Sequence, residues 1–222
     1  MTVPRTCRVA VIPAPRAYVE VREVTVPALK PGEVLLKVLY TEVCGTDVHL
    51  QDGLLDYVPY PFIPGHFCIG QVVAMNGSVM DVYGNLVREG QVVTYFDVHG
   101  VCGVCTNCTL PGPEATMRCA SRKTYGISHA LNEGLFGGWA EYVRLTANTT
   151  IVPLPEGLSP ETLTGGGCSL NTTVHAVELA NIQLDETVVV LGVGPVGQSC
   201  IALAKIAGAS QVRVANYYFA WG

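Results

Sequence analysis

Residues 101–120, VCGVCTNCTLPGPEATMRCA, gather Cys102, Cys105, Cys108 and Cys119 in the spacing C-x2-C-x2-C-x10-C, whereas Cys7, Cys44, Cys68, Cys168 and Cys200 are widely scattered. Two-residue gaps turn successive thiolates toward one centre, and a fourth ligand returned by a loop closes the tetrahedron that zinc takes in structural sites. Four protein ligands leave no open position, so such a metal would brace the loop and do no chemistry. Pro111, Gly112 and Pro113 make that loop unfit for regular structure. An iron–sulfur run begins with the same C-x2-C-x2-C but continues x3-C-P, and residues 109–118 hold no cysteine. The spacing favours zinc, with a cluster and unligated thiols as the alternatives.

A second set is spread along the chain: Cys44 in EVCGTDVHL, His66 in PFIPGHFCIG and Cys168 in TGGGCSLNTTVHA. Singly, each has a bland reading, since a buried cysteine is usually a small apolar residue and a lone histidine a satisfied core or surface group. Taken with the closed cluster, two cysteines and one histidine make the three-ligand set of a catalytic zinc, whose fourth position is left for water or substrate.

Gly192, Gly194 and Gly197 spell G-x-G-x-x-G, a weak motif alone. Here it follows the apolar run TVVVLG and opens a helical stretch with no proline after Pro195, the context that seats a pyrophosphate on a helix N-terminus. The acidic residue expected at the end of the next strand, about 20 residues on, is replaced by Asn216. Asparagine bonds a hydroxyl without repelling a 2′-phosphate, so NAD and NADP both stay open.

The elements that must carry these residues change character along the chain. Up to about residue 150, runs rich in Val, Ile and Tyr, such as RVAVI, EVLLKVLY, CIGQVVAM, QVVTYFDV and AEYVRL, alternate with Gly, Pro and Asn, and predict an all-β region of strand and turn. The stretch from Leu154 to Ile182 turns helical, and ETVVVLG, VGPVGQSCIALAKIAGA and QVRVA then form one β-α-β unit. The remaining residues, NYYFAWG, have no helix pattern.

With 222 residues, 49% of them apolar, the chain can bury a sizeable core as one large or two modest domains. A net charge of −5 leaves no basic stripe for a phosphate backbone, which argues against nucleic acid and for a small substrate. The most apolar stretch, from Thr187, is broken by four glycines, a proline, Gln198 and Lys205, so no membrane span is expected. The N-terminus lacks the apolar run of a secretory signal, which points to a cytoplasmic protein whose clustered thiols hold metal and form no bridges.

Taken in order, C-G-T-D-x-H at 44–49, P-G-H at 64–66, the C-x2-C-x2-C loop, GGWAEYV at 137–143 and GVGPVG at 192–197 resemble the zinc-dependent alcohol dehydrogenases of the medium-chain dehydrogenase/reductase superfamily. The resemblance runs from residue 20 to about 215 and implies a GroES-like β-barrel catalytic domain over 1–160 and the start of a Rossmann domain over 161–222. It implies Cys44, His66 and Cys168 as catalytic zinc ligands, Thr46 as the hydroxyl that bonds the metal-bound alcohol, and His49 as a proton relay. It further implies Asp47 as the carboxylate orienting His66, and Thr172 and Val196 near the nicotinamide. One departure is Phe67, where the family commonly has glutamate; its absence makes the metal surroundings less negative.

The expectation is an oxidoreductase moving hydride between an alcohol or polyol and a nicotinamide cofactor, with two zincs per chain. A Rossmann domain comprises two β-α-β-α-β halves, so a chain with barely the first unit reads as C-terminally truncated and inactive at this length. The alternatives are a non-enzymatic zinc-stabilised module and a zinc-free quinone reductase, the latter opposed by the ligand set. The identity of the alcohol and the oligomeric state, a homo-oligomer included, are left open.

Overall fold

Strands form where branched apolar residues can bury one or both faces of a sheet, and the apolar run at Val34–Leu36 is buried on both. A computed structural model of the chain describes residues 3–110, 118–164 and 166–216. The chain divides into two units, residues 1–164 and 165–222.

In the first unit, β1 (Thr6–Val11) and β2 (Glu20–Thr25) form an antiparallel pair. A five-stranded antiparallel sheet follows, built from β3 (Val34–Thr41), β4 (Cys68–Met75), β5 (Val92–Tyr95), β8 (Tyr142–Leu145) and β9 (Ile151–Pro153) in the order β8-β3-β4-β5-β9. A bridge from Val9 to Ala140 extends β1 alongside the start of β8. A small hairpin pairs β6 (Val98–Gly100) with β7 (Lys123–Thr124). Successive strand residues point to opposite faces. Accordingly Val34, Leu36, Val72, Val93 and Val143 join one core, and Leu35 and Val73 join Cys7, Val9 and Ile63 in another on the opposite face.

The five strands read from the sequence are present, with three differences. QVVTYFDV is two strands, because the chain changes partners: Tyr95 pairs with Ile151 of β9, whereas Val98 pairs with Thr124 of β7. β2 and β9 are not marked in the sequence: the two valines of EVREVT are three residues apart, Val21 exposed and Val24 half-buried, so the stretch has no strand alternation, and a three-residue strand leaves no periodic signal. The region is also not all β. It holds α1 (Gly45–Asp52), the short α2 (Thr106–Thr109) and a 3-10 turn at Leu131–Glu133. The α1 segment has a weak apolar pattern and exists through its ends: Cys44 caps it and Gly53 closes it in the left-handed conformation.

The helical stretch resolves into α3 (Pro160–Leu163), in the first unit, and α4 (Gly167–Ala180), in the second. The second unit continues with β10 (Thr187–Leu191), α5 (Pro195–Ile206) and β11 (Gln211–Ala215). β10 and β11 pair in parallel, Thr187 opposite Gln211 and Leu191 opposite Ala215, which completes the expected β-α-β unit. Among the described residues no helix is long and apolar enough to cross a membrane. Pro111, Gly112 and Pro113 of the expected loop and the final residues YYFAWG lie outside the described residues.

Candidate metal centres

The first centre is built on the N-terminus of α1. Cys44 is its N-cap, with Sγ accepting from the Thr46 N–H at 3.3 Å, while the Asp47 Oδ2 accepts from the Cys44 N–H at 2.9 Å. This is a capping box with a thiol in place of the usual hydroxyl. It aims the Cys44 sulfur and the Asp47 carboxylate at the segment carrying His66. There the Gly65 N–H donates to Asp47 Oδ1 at 3.3 Å. His66 Nε2 lies 3.3 Å from Cys44 Sγ, and His66 Nδ1 lies 3.6 Å from Asp47 Oδ1.

A sulfur about 2.3 Å and a nitrogen about 2.0 Å from one tetrahedral ion stand roughly 3.5 Å apart, so the Cys44–His66 separation fits two ligands of one metal. His66 Nδ1 is buried without a hydrogen-bond partner, and Asp47 is the carboxylate it faces. An ion shared with Cys44 would meet Nε2 and leave Nδ1 toward the carboxylate, the usual division of labour for a ligating histidine. Burial alone would lower the His66 pKa, but Asp47 and Cys44 outweigh it and raise it to about 10. Surroundings that hold a proton this tightly also favour a cation in its place.

A set of close backbone contacts holds His66 in position. A Cβ added at Gly137 would stand 2.1 Å from the Ile63 carbonyl oxygen, and one at Gly126 2.4 Å from the Gly65 carbonyl carbon. No side chain fits there. The Gly138 N–H donates to the Gly65 oxygen at 2.7 Å, the Trp139 N–H to the Pro64 oxygen at 3.0 Å, and the Trp139 ring N–H to the Glu42 oxygen at 3.0 Å. The motifs P-G-H at 64–66 and G-G-W at 137–139, 73 residues apart, are therefore two halves of one clamp.

Phe67 is buried, so the position where the family's glutamate would lie is apolar. Asp97, which the sequence reading passed over, lies within electrostatic reach of His66. Burial raises its carboxyl pKa, and the His66 charge and backbone N–H groups partly offset this.

The second centre is the closed set. Cys102, Cys105 and Cys108 follow β6, and Cys119 precedes β7, so the loop is an excursion from that hairpin. The four Sγ atoms all lie within 4.8 Å of one another. Cys105–Cys108, Cys102–Cys119 and Cys102–Cys108 are separated by 3.5, 3.6 and 3.9 Å. A disulfide would bring two sulfurs to about 2.05 Å, whereas four thiolates about 2.3 Å from a tetrahedral ion stand about 3.8 Å apart. The set fits one metal ion. Hydrogen bonds from the backbone N–H groups of Val104 and Cys105 lower the Cys102 pKa to about 6 and stabilise its ligating form.

The other expected residues are placed as follows. Thr46 and His49 lie on α1, three residues apart and so on one side of it, Thr46 half-buried and His49 exposed. Cys168 and Thr172 lie on α4 in the second unit, where the Thr172 hydroxyl donates to the Cys168 oxygen at 3.2 Å. Gly192 follows β10 with φ at +98°, Gly194 caps α5, and Val196 is exposed in its first turn. A Cβ at Gly197 would stand 2.0 Å from the Gly192 oxygen, so the third glycine is required for strand and helix to meet. The first turn of α5 thus presents its N–H groups beside side-chain-free backbone, which suits an anionic diphosphate. Asn216 follows β11 and is exposed.

A β-rich unit with a capped cysteine–histidine pair and a four-thiolate loop, followed by a glycine-turn β-α-β unit, defines a class of metal-dependent dehydrogenases. Residues 30–156 match the Alcohol dehydrogenase GroES-like domain family, and the chain belongs to that family, among the zinc-dependent alcohol dehydrogenases of the medium-chain superfamily. It is similar to the 5-exo-hydroxycamphor dehydrogenase of Pseudomonas putida, 32% identical over 200 residues that cover 87% of this chain and 52% of that one. An alcohol dehydrogenase from Thermotoga maritima superposes with a TM-score of 0.84 at 26% identity, covering 94% of this chain and 57% of that structure. An acetophenone reductase from Geotrichum candidum, solved in complex with NAD, superposes with a TM-score of 0.74 at 26% identity, covering 100% and 60%. The chain spans about half the length of the curated relatives it matches.

Proposed function

We propose that this chain carries the metal-binding and proton-handling part of a zinc-dependent alcohol or polyol dehydrogenase, with NAD or NADP as hydride acceptor. The observation that carries the reading is the Cys44–His66 pair, set 3.3 Å apart with Asp47 behind the imidazole. Cys168 is the proposed third ligand, leaving one position for substrate. Zinc bound there would supply polarisation of the substrate oxygen and so lower its pKa. Thr46 then accepts the substrate's hydroxyl proton at its Oγ1 and passes its own toward His49, which is exposed and exchanges it with solvent. Gly192, Gly194 and Gly197 would receive the cofactor pyrophosphate, Val196 and Thr172 would serve the nicotinamide, and Asn216 would bond the ribose. The closed set at Cys102, Cys105, Cys108 and Cys119 holds a second, structural zinc. A cytoplasmic location and a small alcohol or carbonyl substrate belong to the same reading.

A second reading is a zinc-stabilised module without turnover, which the closed set at Cys102, Cys105, Cys108 and Cys119 favours. Titration with NADH, followed by nicotinamide absorbance with primary alcohols, secondary alcohols and polyols on zinc-loaded protein, separates the two. Binding and turnover support the dehydrogenase. Two zincs without cofactor binding at millimolar NADH overturn it in favour of the module.

A further inference from the structure

Away from both centres, His99 of β6 and His129, just after β7, are buried and face each other. Their Nε2 atoms are 2.9 Å apart. The pair ends a continuous chain of hydrogen bonds. His129 Nδ1 lies 2.9 Å from Glu133 Oε2, and His99 Nδ1 lies 3.0 Å from Thr146 Oγ1. Thr146 Oγ1 lies 3.1 Å from Thr149 Oγ1, which lies 2.7 Å from the Tyr125 hydroxyl. Every atom is satisfied with both rings neutral. His129 Nδ1–H donates to the carboxylate, the bare His129 Nε2 accepts from His99 Nε2–H, and the bare His99 Nδ1 accepts from the Thr146 hydroxyl.

One added proton can be absorbed, because His99 can move its proton to Nδ1 and accept from a charged His129. A second proton cannot: two N–H groups would then point at each other at 2.9 Å. We propose that His99 and His129 form an acid-opened clasp that fastens the β6–β7 hairpin, from which the cysteine loop projects, to residues 146–149, and that it holds while the two rings share at most one proton.

The surroundings of the pair agree from each element packed on it. Lys123 comes from β7, Tyr125 follows it with its ring 4.2 Å from that of His99, and Tyr95 of β5 packs on Tyr125. Glu133 comes from the 3-10 turn and, among the described residues, is the acid in contact with the pair. Arg144 of β8 stands 4.5 Å over the ring of Phe136, which stacks on His129 at 3.9 Å. Two cations and one acid give no net attraction for two extra protons. Burial, His129 and Lys123 lower the His99 pKa to about 4, and burial lowers His129 also, against the pull of Glu133. Both folded pKa values are depressed, so the stability they contribute is present above the unfolded value near 6.5 and is lost as pH falls from there toward 4.

The test is chemical denaturation of the zinc-loaded full chain between pH 7 and pH 5, wild type against His99→Gln. As pH falls, the wild-type unfolding constant should rise more steeply than that of the variant, by a factor that approaches about tenfold per pH unit below about pH 6, one proton's worth of linkage. Equal slopes overturn the clasp. If His99→Gln does not fold, nitrogen-15 histidine spectra of the wild type decide alone. The clasp predicts two rings coupled through one hydrogen bond and neutral at pH 7; two rings titrating independently near 6.5 overturn it.

Discussion

The two units use similar apolar runs in different ways. In the first, Val34, Leu35 and Leu36 are each at most 1% exposed, because cores lie on both faces of their strand. In the second, TVVVL alternates: Val190 is buried, while Val189 and Leu191 are 59% and 77% exposed. Among the described residues, Val190, Ala204 and Ala209 are the buried apolar side chains of the second unit. An unbroken apolar run in a parallel strand signals two faces that need cover; here one face has it. The first unit accordingly holds its candidate metal ligands by interlocked backbone, whereas among the described residues the second presents its glycine turn on a thinly packed support. Alanine at Gly137 of the first unit and at Gly194 of the second should therefore differ sharply in cost.

The largest effect is expected at Gly137. Alanine there would force a carbon to within 2.1 Å of the Ile63 oxygen, with backbone on both sides and nothing flexible to yield. The cost should exceed about 4 kcal/mol, a large part of a domain's stability. At Gly194 an added Cβ meets nothing within 4 Å, so alanine should cost less than about 1 kcal/mol in stability while obstructing the diphosphate. Thermal unfolding of both variants tests the contrast, and comparable melting temperatures would remove it.

Next is Cys105→Ser. The four-thiolate set bridges a loop from β6 to β7, so losing one ligand should remove one metal per chain and destabilise the first unit by at least about 2 kcal/mol. Metal analysis of the folded variant checks this; unchanged content would exclude a metal at the set.

His66→Ala should be milder for stability, about 1–2 kcal/mol, because Asp47 keeps its bonds from the Cys44 and Gly65 N–H groups. Its signature is spectroscopic. Cobalt-substituted wild type should show thiolate charge-transfer bands from two sites, and His66→Ala should lose one set. Bands insensitive to His66 would refute the open centre.

What was legible in the sequence follows from the range of the interactions involved. β1, β3, β4, β8 and the β-α-β unit announce themselves by composition, and the four-cysteine set by spacing, because each is decided within a few residues. α1 was hidden because its start depends on a thiol cap and a carboxylate that also faces His66. The Gly138–Gly65 clamp joins residues 73 apart, and the His99–His129 pair joins β6 to the segment after β7 through ring nitrogens. No local pattern encodes either. The residues Cys44, His66 and Asp47 were readable as types, but their common aim rests on the α1 capping box and the glycine clamp. Asp97 gave no signal, since a lone acid after an apolar run resembles any strand end.

The smallest effect on stability, and the one that sharpens the comparison most, is expected at the uncovered face of β10. Leu191 is 77% exposed, so Leu191→Lys buries no charge and removes few contacts. The change should alter stability by less than about 0.5 kcal/mol, as surface substitutions do. In the first unit Leu145, also at the end of a strand, is fully buried, and Leu145→Lys would bury an unpaired ammonium and prevent folding. Solubility should move the other way. Among the described residues, Val189 and Leu191 form an apolar face beside strand edges that no further strand pairs, a template for association between copies. A charge at Leu191 should lower self-association of the wild-type chain, measured by sedimentation velocity over a tenfold concentration range. If Leu191→Lys instead costs several kcal/mol, that face is covered in solution and the contrast between the units is smaller than the exposures indicate.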